Sequence, residues 1–118
     1  FNKLNEYDRA IDYLKTLKHE ADTESEPRIQ YWIADCYFEK GRFQQAIIEY
    51  LKVRYISKPS KLNWAVTAQY KAGLAYMKLG KNNEAKQIFQ KIIAEQGAAS
   101  PFGKGAQKKI DEINNLVN

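Results

Sequence analysis

The sequence predicts an all-α fold in which helix–turn–helix repeats stack into a solenoid. Residues 1–17, 37–53 and 76–92 share one pattern, and their starting points are separated by 36 and then 39 residues. Self-similarity at a period of 20–50 residues is the signature of a solenoid. The chain of 118 residues has only three prolines and no extended alternation of β-branched side chains, which argues against a sheet.

The shared pattern places the same kinds of side chain at the same offsets. Each stretch begins with an aromatic residue; a turn former, an alanine, a large apolar residue and a branched aliphatic residue follow at fixed distances. In chain order these are Phe1, Asn5, Ala10, Leu14 and Leu17; Tyr37, Gly41, Ala46, Tyr50 and Val53; and Tyr76, Gly80, Ala85, Phe89 and Ile92. The turn formers predict helix ends, because glycine adopts the left-handed conformation without steric cost and asparagine tolerates it best among the other residues.

The first predicted helix runs from about Asn5 to His19 and is the second helix of a first repeat, 1–20. Because Phe1 falls inside the repeat frame, we expect the chain to be a fragment in which the first helix of this repeat keeps only its final turn. The apolar stripe of the predicted helix would then lack part of its cover, and it consists of Tyr7, Ala10, Ile11, Leu14 and Leu17. We therefore expect self-association through this helix, or high mobility of it.

Two complete repeats follow, at 27–56 and 61–96. The polar run 21–27 predicts a loop with Ser25 as the N-cap of a helix from Pro27 to Lys40. A third helix from Phe43 to Tyr55 completes the second repeat. After the loop at 57–60, with Ser60 as a cap, the third repeat has helices from Lys61 to Leu79 and from Asn82 to Glu95.

The run GAASP (97–101) interrupts the chain, and a sixth helix is predicted over 101–117. Its apolar residues recur at helical spacing and form one narrow stripe, Ala106, Ile110, Ile113 and Val117. The rest of this helix is polar, as the end of a solenoid requires for solubility. It is therefore predicted to be a capping helix rather than half of another binding repeat.

The stretch YWIADCYFEKGRFQQAIIEY (31–50) resembles a tetratricopeptide repeat (TPR), a helix–turn–helix unit of 34 residues. This resemblance implies that the solenoid is right-handed. Ala34 and Gly73 match the positions where the two helices of such a repeat pack closely. The long spacing between the last two repeats, with the tail SPFGKGAQKKI (100–110), resembles a subset of bacterial envelope TPR proteins. That subset includes the periplasmic TPR partner of the Tol–Pal system and the TPR lipoprotein of the outer-membrane β-barrel assembly machine. The narrower resemblance implies a location in the bacterial periplasm or cell envelope.

No constellation of catalytic or metal-binding residues is evident, so neither an enzyme nor a cofactor is predicted. One histidine (His19) and one cysteine (Cys36) cannot supply a set of three or four nitrogen and sulfur ligands. GAASPFGKG (97–105) departs from a phosphate-binding loop in glycine spacing, in the residue after its lysine and in the helix before it. No apolar run approaches the roughly 18 residues that would predict membrane insertion.

The resemblance implies a protein-binding scaffold whose concave face is lined by the first helix of each repeat. Carried onto this chain, that face consists of Arg28, Tyr31, Asp35, Phe38, Thr67, Tyr70, Lys71, Leu74, Met77 and Lys78. Aromatic, Met and basic side chains suit a peptide or partner helix bound in a groove, although core packing would equally explain Tyr31 and Tyr70. One TPR subtype grips C-terminal carboxylates with Asn and Lys residues. Asp35 and Leu74 stand where that clamp needs an Asn or a cation, so no such clamp is predicted.

Charge leaves an alternative function open. Residues 51–91 contain nine Lys or Arg residues and a single acidic residue, Glu84. Together with Tyr55, Trp64 and Tyr70, this segment could follow a phosphate backbone while bases stack on the aromatic rings. The same lysines would also suit the solvent-facing sides of two amphipathic helices, and no RNA-binding motif is present. Nucleic acid is therefore the second candidate partner, after a protein or peptide.

Overall fold

The computed structural model describes residues 3–57 and 63–116, which form six helices. In chain order they are α1 Lys3–Glu20, α2 Glu26–Glu39, α3 Phe43–Ile56, α4 Asn63–Lys78, α5 Asn82–Gln96 and α6 Pro101–Leu116. The predicted all-α solenoid is therefore confirmed. The expectations for Phe1, the Ser60 cap, the start of the fourth helix at Lys61 and Val117 lie outside the described residues. No helix in the described ranges combines the length and the hydropathy that a bilayer crossing requires.

The helices form two rows. Each helix packs against its neighbours in sequence, and in addition α2 contacts α4 and α4 contacts α6. Within the described ranges, α1, α3 and α5 make no such contacts with one another. The even-numbered helices therefore approach each other on one side of the solenoid, which we call the inner face, while the odd-numbered helices spread apart on the other side.

Two turns repeat with the same geometry, as the sequence predicted. Gly41 and Gly80 have φ angles of 80° and 74°, in the left-handed region. At each turn, the residue after the glycine donates its backbone N–H to the carbonyl of the tyrosine that begins the shared pattern. Arg42 donates to Tyr37 and Lys81 donates to Tyr76, both at 2.9 Å. These bonds satisfy carbonyl groups that a helix end leaves without a partner.

The turn expected at Asn5 is wrong. Asn5 lies inside α1, and in the described part of the chain only glycines have positive φ angles. Lys3 already belongs to α1, so this helix includes Asn5, the residue that was expected to separate it from a preceding helix. The burial of α1 follows the predicted stripe: Ile11 is buried, and its other members, Tyr7, Ala10, Leu14 and Leu17, are half-buried. Self-association through α1 stays a prediction.

The helix caps differ from the prediction. Ser25 stands at the N-cap of α2, but its side chain makes no capping hydrogen bond. Instead the Ser25 backbone N–H donates to Oδ1 of Asp22 at 2.7 Å, which lowers the pKa of that carboxyl group. An unpredicted cap begins α6, where Oγ of Ser100 accepts the backbone N–H of Gly103 at 2.9 Å. The sequence signal for it is a serine followed by Pro101 at the first helical position.

Small residues allow close contact within each helical hairpin. Ala46 and Ala85, the alanines of the shared repeat pattern, are fully buried. Gly73 faces the ring of Phe89, and a Cβ atom on it would lie 2.6 Å from Cζ of that ring. The α4–α5 hairpin therefore packs so closely at this point that only glycine fits without adjustment.

A polar interaction between successive repeats occurs twice. Lys18 of α1 donates to the side-chain oxygen of Gln30 at 2.6 Å, and Arg54 of α3 donates to the equivalent oxygen of Gln69 at 3.1 Å. The two glutamines are separated by 39 residues, the spacing between the second and third frames, and both are buried. Each bond joins the second helix of one repeat to the first helix of the next, so this device fixes how repeats stack.

The first of these two interactions extends into a buried network on α3. The side-chain amide of Gln30 donates to the backbone oxygen of Glu49 at 3.0 Å and to its Oε1 at 2.9 Å. Gln45 and Lys52 donate to the other carboxylate oxygen at 3.0 and 3.1 Å. Burial opposes ionisation of Glu49, but the hydrogen bonds outweigh burial and hold its pKa below the usual value.

Candidate functional site

The ten residues predicted to form the binding face lie on α2 and α4, both helices of the inner face. Their exposure differs along the row. Arg28 and Lys78 are exposed, and Tyr31 is buried. The others are half-buried: Asp35, Phe38, Thr67, Tyr70, Lys71, Leu74 and Met77. The structure therefore distinguishes residues whose side chains are accessible to a ligand from residues whose side chains pack in the core beneath the binding face.

Tyr31 lies in the core beneath the predicted binding face. Its ring packs between Tyr50 and Trp64, with centroid separations of 5.8 and 5.3 Å, and only 8% of the residue is exposed. Burial and the nearby Asp35 carboxylate raise the pKa of Tyr31 to about 12. Tyr31 therefore belongs to the core between the second and third repeats and offers little surface to a ligand.

Asp35 joins the core to the inner face. Its Oδ1 accepts a hydrogen bond from the hydroxyl of the buried Tyr50, and burial together with this bond raises the pKa of Tyr50. The same oxygen lies 3.7 Å from Nζ of Lys71. That ammonium group in turn lies 5.4 Å from the centre of the Phe38 ring, within cation–π range. Lys71 is consequently held in place from two sides.

A pocket of about 390 Å³ opens beside this cluster. Its lining combines three apolar side chains and two lysines: Phe38, Leu74, Met77, Lys78 and Lys109. Four of these residues were predicted from the sequence. Lys109 was not, because it lies on α6, which the repeat frame does not include.

The α6 helix approaches the inner face through a glycine. A Cβ atom on Gly105 would lie 3.6 Å from Cε2 of Tyr70, an ordinary contact distance. The ring of Tyr70 also packs edge-on against the buried Phe89, with centroids 5.5 Å apart. The Tyr70 side chain therefore packs between α5 and α6. The α6 helix covers the core and also forms one wall of the inner face.

The other end of the row carries an arginine stacked on a tryptophan. The guanidinium carbon of Arg28 lies 5.2 Å from the centre of the Trp32 ring, and 40% of Trp32 is exposed. Trp32 was missed, although the frame places it at the position that Lys71 occupies one repeat later. Thr67 has less hydrogen-bonding capacity for a ligand, because its hydroxyl donates to the backbone oxygen of Asn63 at 2.9 Å.

Several basic residues of the 51–91 segment are paired within the molecule. Lys52 contacts Glu49 at 3.1 Å, Arg54 contacts Glu95 at 3.1 Å, and Lys71 contacts Asp35. Lys58 and Lys61 lie outside the described residues. The described cations of this segment therefore do not form one continuous unpaired track.

Neither a cluster of metal ligands nor an activated cysteine is found in the part of the chain that the structure describes. No group of three or more His, Cys, Asp or Glu side chains is placed to hold a metal ion within that part. Burial, together with Asp35 and Glu39, raises the pKa of the Cys36 thiol, which is opposite to the shift that activates a cysteine nucleophile. The arrangement can bind and orient a ligand through apolar contact and charge.

Comparison with known protein families gives two matches. Two family models, each described as a tetratricopeptide repeat, match residues 3–60 and 67–96, together about three quarters of the chain. The first match covers α1 to α3, and the second covers most of α4 and all of α5. A comparison with curated proteins finds no significant match.

Proposed function

The chain belongs to the tetratricopeptide repeat family, and from that premise we propose that it is a non-catalytic scaffold whose inner face binds a segment of a partner protein. Tetratricopeptide repeats are generally protein–protein interaction modules. In solenoids, the first helices of successive repeats line the extended concave binding surface. In this chain those helices are α2 and α4, and α6 continues the row.

The observation that supports this proposal best is the open pocket on the inner face. Three apolar side chains that pack against the core with one side, Phe38, Leu74 and Met77, also border about 390 Å³ of accessible space, beside two lysines. Apolar surface edged by charge is typical of the centre of a protein interface. The exposed positions of α5 are mostly polar, for example Gln87 and Gln90, which suits a solvent-facing helix, whereas α3 on the same row exposes Ile48, Leu51 and Tyr55.

Site-specific photo-crosslinking tests the proposal. A photoreactive amino acid at Lys78 would sit at the rim of the pocket, whereas the same amino acid at Gln90 would sit on exposed α5. In cells that express the intact protein, Lys78 should give a discrete crosslinked species and Gln90 should not. Crosslinks of equal intensity from both positions, or from Gln90 alone, would move the binding surface to the other row and refute the proposal.

Nucleic acid is the competing partner, and the ion pairs argue against it. Lys52, Arg54 and Lys71 each contact a carboxylate. To bind a phosphate backbone, these three side chains would first have to break their ion pairs with the carboxylates. The electrostatic contribution to the binding free energy would be smaller for that reason. Titration with a random single-stranded RNA at two salt concentrations distinguishes the two partners. Submicromolar binding that falls steeply with salt would favour nucleic acid.

The bacterial envelope is the proposed setting, on the resemblance of the tail at 100–110 to envelope proteins of this family. The structure supplies packing reasons for the same motif: Ser100 caps α6, and a Cβ atom on Gly103 would lie 1.9 Å from the carbonyl oxygen of Gly97. Fractionation of the source cells with an antibody against the intact protein tests the setting. Recovery in the cytosolic fraction would refute it and leave the scaffold function intact.

A further inference from the structure

We infer that the inner-face pocket recognises an acidic segment with a single large apolar side chain. The apolar side chain enters between Phe38, Leu74 and Met77, and an adjacent carboxylate is held by Lys78 and Lys109. This inference rests on the proposed function, since it names the class of segment that the inner face binds. It also makes α6 part of the binding site.

The apolar requirement follows from the three non-polar walls. Phe38, Leu74 and Met77 come from two different helices, and each is half-buried, so each presents part of its apolar surface to the pocket. Phe38 is held in place by Phe43, whose ring centroid is 5.1 Å away, and by Lys71. Methionine is the adaptable wall, because its unbranched side chain adjusts to different partners. A leucine or an aromatic ring of the ligand can therefore displace water from a partly preformed pocket.

The acidic requirement follows from the charges at the rim. Among the residues that the structure describes, the lining contains two lysines and no carboxylate. Lys78 is exposed and has no hydrogen-bond or ion-pair partner among residues 3–57 and 63–116. Within the described ranges, the one ion-pair partner of Lys109 is Glu112, at 3.2 Å and one helical turn away. An incoming carboxylate can replace this solvent-accessible pair at small cost. Lys71 is already occupied by Asp35 and does not enter the assignment.

The two lysines come from different parts of the fold. Lys78 ends α4, and Lys109 lies in the middle of α6. A ligand carboxylate between them would bridge the third repeat and the C-terminal helix. Acidic residues on both sides of the apolar anchor would satisfy both lysines, whereas basic residues would meet the like charge of Lys78 and Lys109 at the rim.

The chain contains a single methionine, which provides a direct probe of the pocket. Labelling with ¹³C-methyl methionine gives one methyl signal, from Met77. The signal is followed by NMR while acetylated and amidated nonapeptides are added, so that no peptide has a terminal charge. The peptides have a central leucine flanked on each side by two acidic, two neutral polar or two basic residues, and a fourth replaces the leucine of the acidic peptide with alanine.

The acidic leucine peptide should shift the Met77 signal in a saturable way. The alanine peptide should bind about tenfold more weakly, as the loss of one buried leucine side chain predicts, and the basic peptide should bind more weakly than the neutral peptide. Equal or tighter binding of the neutral or basic peptide at Met77 would overturn the inference and leave the proposed function standing. Absence of any shift with all four peptides would also overturn it, while the crosslinking result would still decide the proposed function.

Charge reversal on α6 adds a matched control. Lys109→Glu should weaken the acidic peptide at least tenfold and strengthen the basic peptide, because the pocket rim then carries a carboxylate. Lys108→Glu makes the same change of charge at the neighbouring exposed residue, which does not line the pocket, and should change either affinity by less than about twofold. Equal effects of the two substitutions would show that net charge alone governs binding and would overturn the assigned site. Circular dichroism confirms that both variants remain folded.

Discussion

Replacement of Gly73 with alanine tests how closely α4 and α5 pack. A Cβ atom at this position would lie 2.6 Å from Cζ and 2.7 Å from Cε1 of Phe89, far inside contact distance. The ring has little room to move, because Phe89 is fully buried and Tyr70 packs against it. Insertion of a methyl group into such a site costs about 1–3 kcal/mol.

Gly105→Ala is the matched control, because Gly105 also lies within a helix and a Cβ atom there would meet Tyr70 at an ordinary 3.6 Å. A glycine-to-alanine change inside a helix gains about 1 kcal/mol in helix propensity at either position. The propensity gain therefore cancels when the two variants are compared. The free energies of unfolding should differ by about 1–3 kcal/mol, with Gly105→Ala the more stable, which for a chain of this size corresponds to roughly 4–12 °C in melting temperature.

Urea denaturation followed by circular dichroism measures both variants. A second measurement isolates the contact: in a Phe89→Leu background the ring atoms nearest to residue 73 are gone, so Gly73→Ala should be neutral or stabilising there. The coupling free energy of this double-mutant cycle should be about 1 kcal/mol or more. Equal stabilities of the two alanine variants, or strict additivity in the cycle, would refute the close approach of the helices.

Three further predictions concern the core and the C-terminal helix. Ala46→Leu and Ala85→Leu should each lower the melting temperature clearly more than Ala98→Leu, because the first two are fully buried and the third is exposed; equal melting temperatures would contradict the repeat assignment. Deletion of residues 101–118 should bare the apolar side of α5 and cause aggregation or binding of a hydrophobic dye, whereas a soluble, dye-free monomer would show that α6 is not a cap. Because the pKa of Tyr31 is raised from 10.0 to about 12, its contribution to stability is complete below pH 10 and is lost as the pH rises through 12. Tyr31→Phe should therefore reduce the loss of stability between pH 9 and pH 11.5, and an unchanged loss would show that Tyr31 does not contribute to it.

The repeat frame predicted the fold where one residue type determines the local backbone. Gly41 and Gly80 end their helices in the left-handed conformation because this conformation is strained for other residues. Asn5 failed as a turn signal because asparagine tolerates that conformation without requiring it, and its cost inside a helix is only about 0.7 kcal/mol. With helix-forming residues on both sides, α1 continues through Asn5.

The burial of each site residue could not be predicted, because it depends on which side chains of the neighbouring helices cover that residue. Tyr31 and Tyr70 occupy equivalent positions 39 residues apart, yet Tyr31 is buried and Tyr70 is only half-buried. Trp64 covers Tyr31, while the helix facing Tyr70 presents Gly105. Lys109 was missed for a related reason: α6 continues the inner row in space but lies outside the periodic pattern that located the other helices.

The inner face combines fixed and adjustable groups, and the division has a consequence for selectivity. Phe38 is held by the ring of Phe43 and by Lys71, which is itself paired with Asp35, so this wall of the pocket is set before a ligand binds. Lys78 and Lys109 are exposed or lightly paired, and ordering a lysine side chain costs up to about 2 kcal/mol in conformational entropy. Each lysine alone would then contribute little net affinity for a carboxylate. The apolar walls should therefore decide whether a segment binds, and the two lysines should decide which of several apolar segments is preferred.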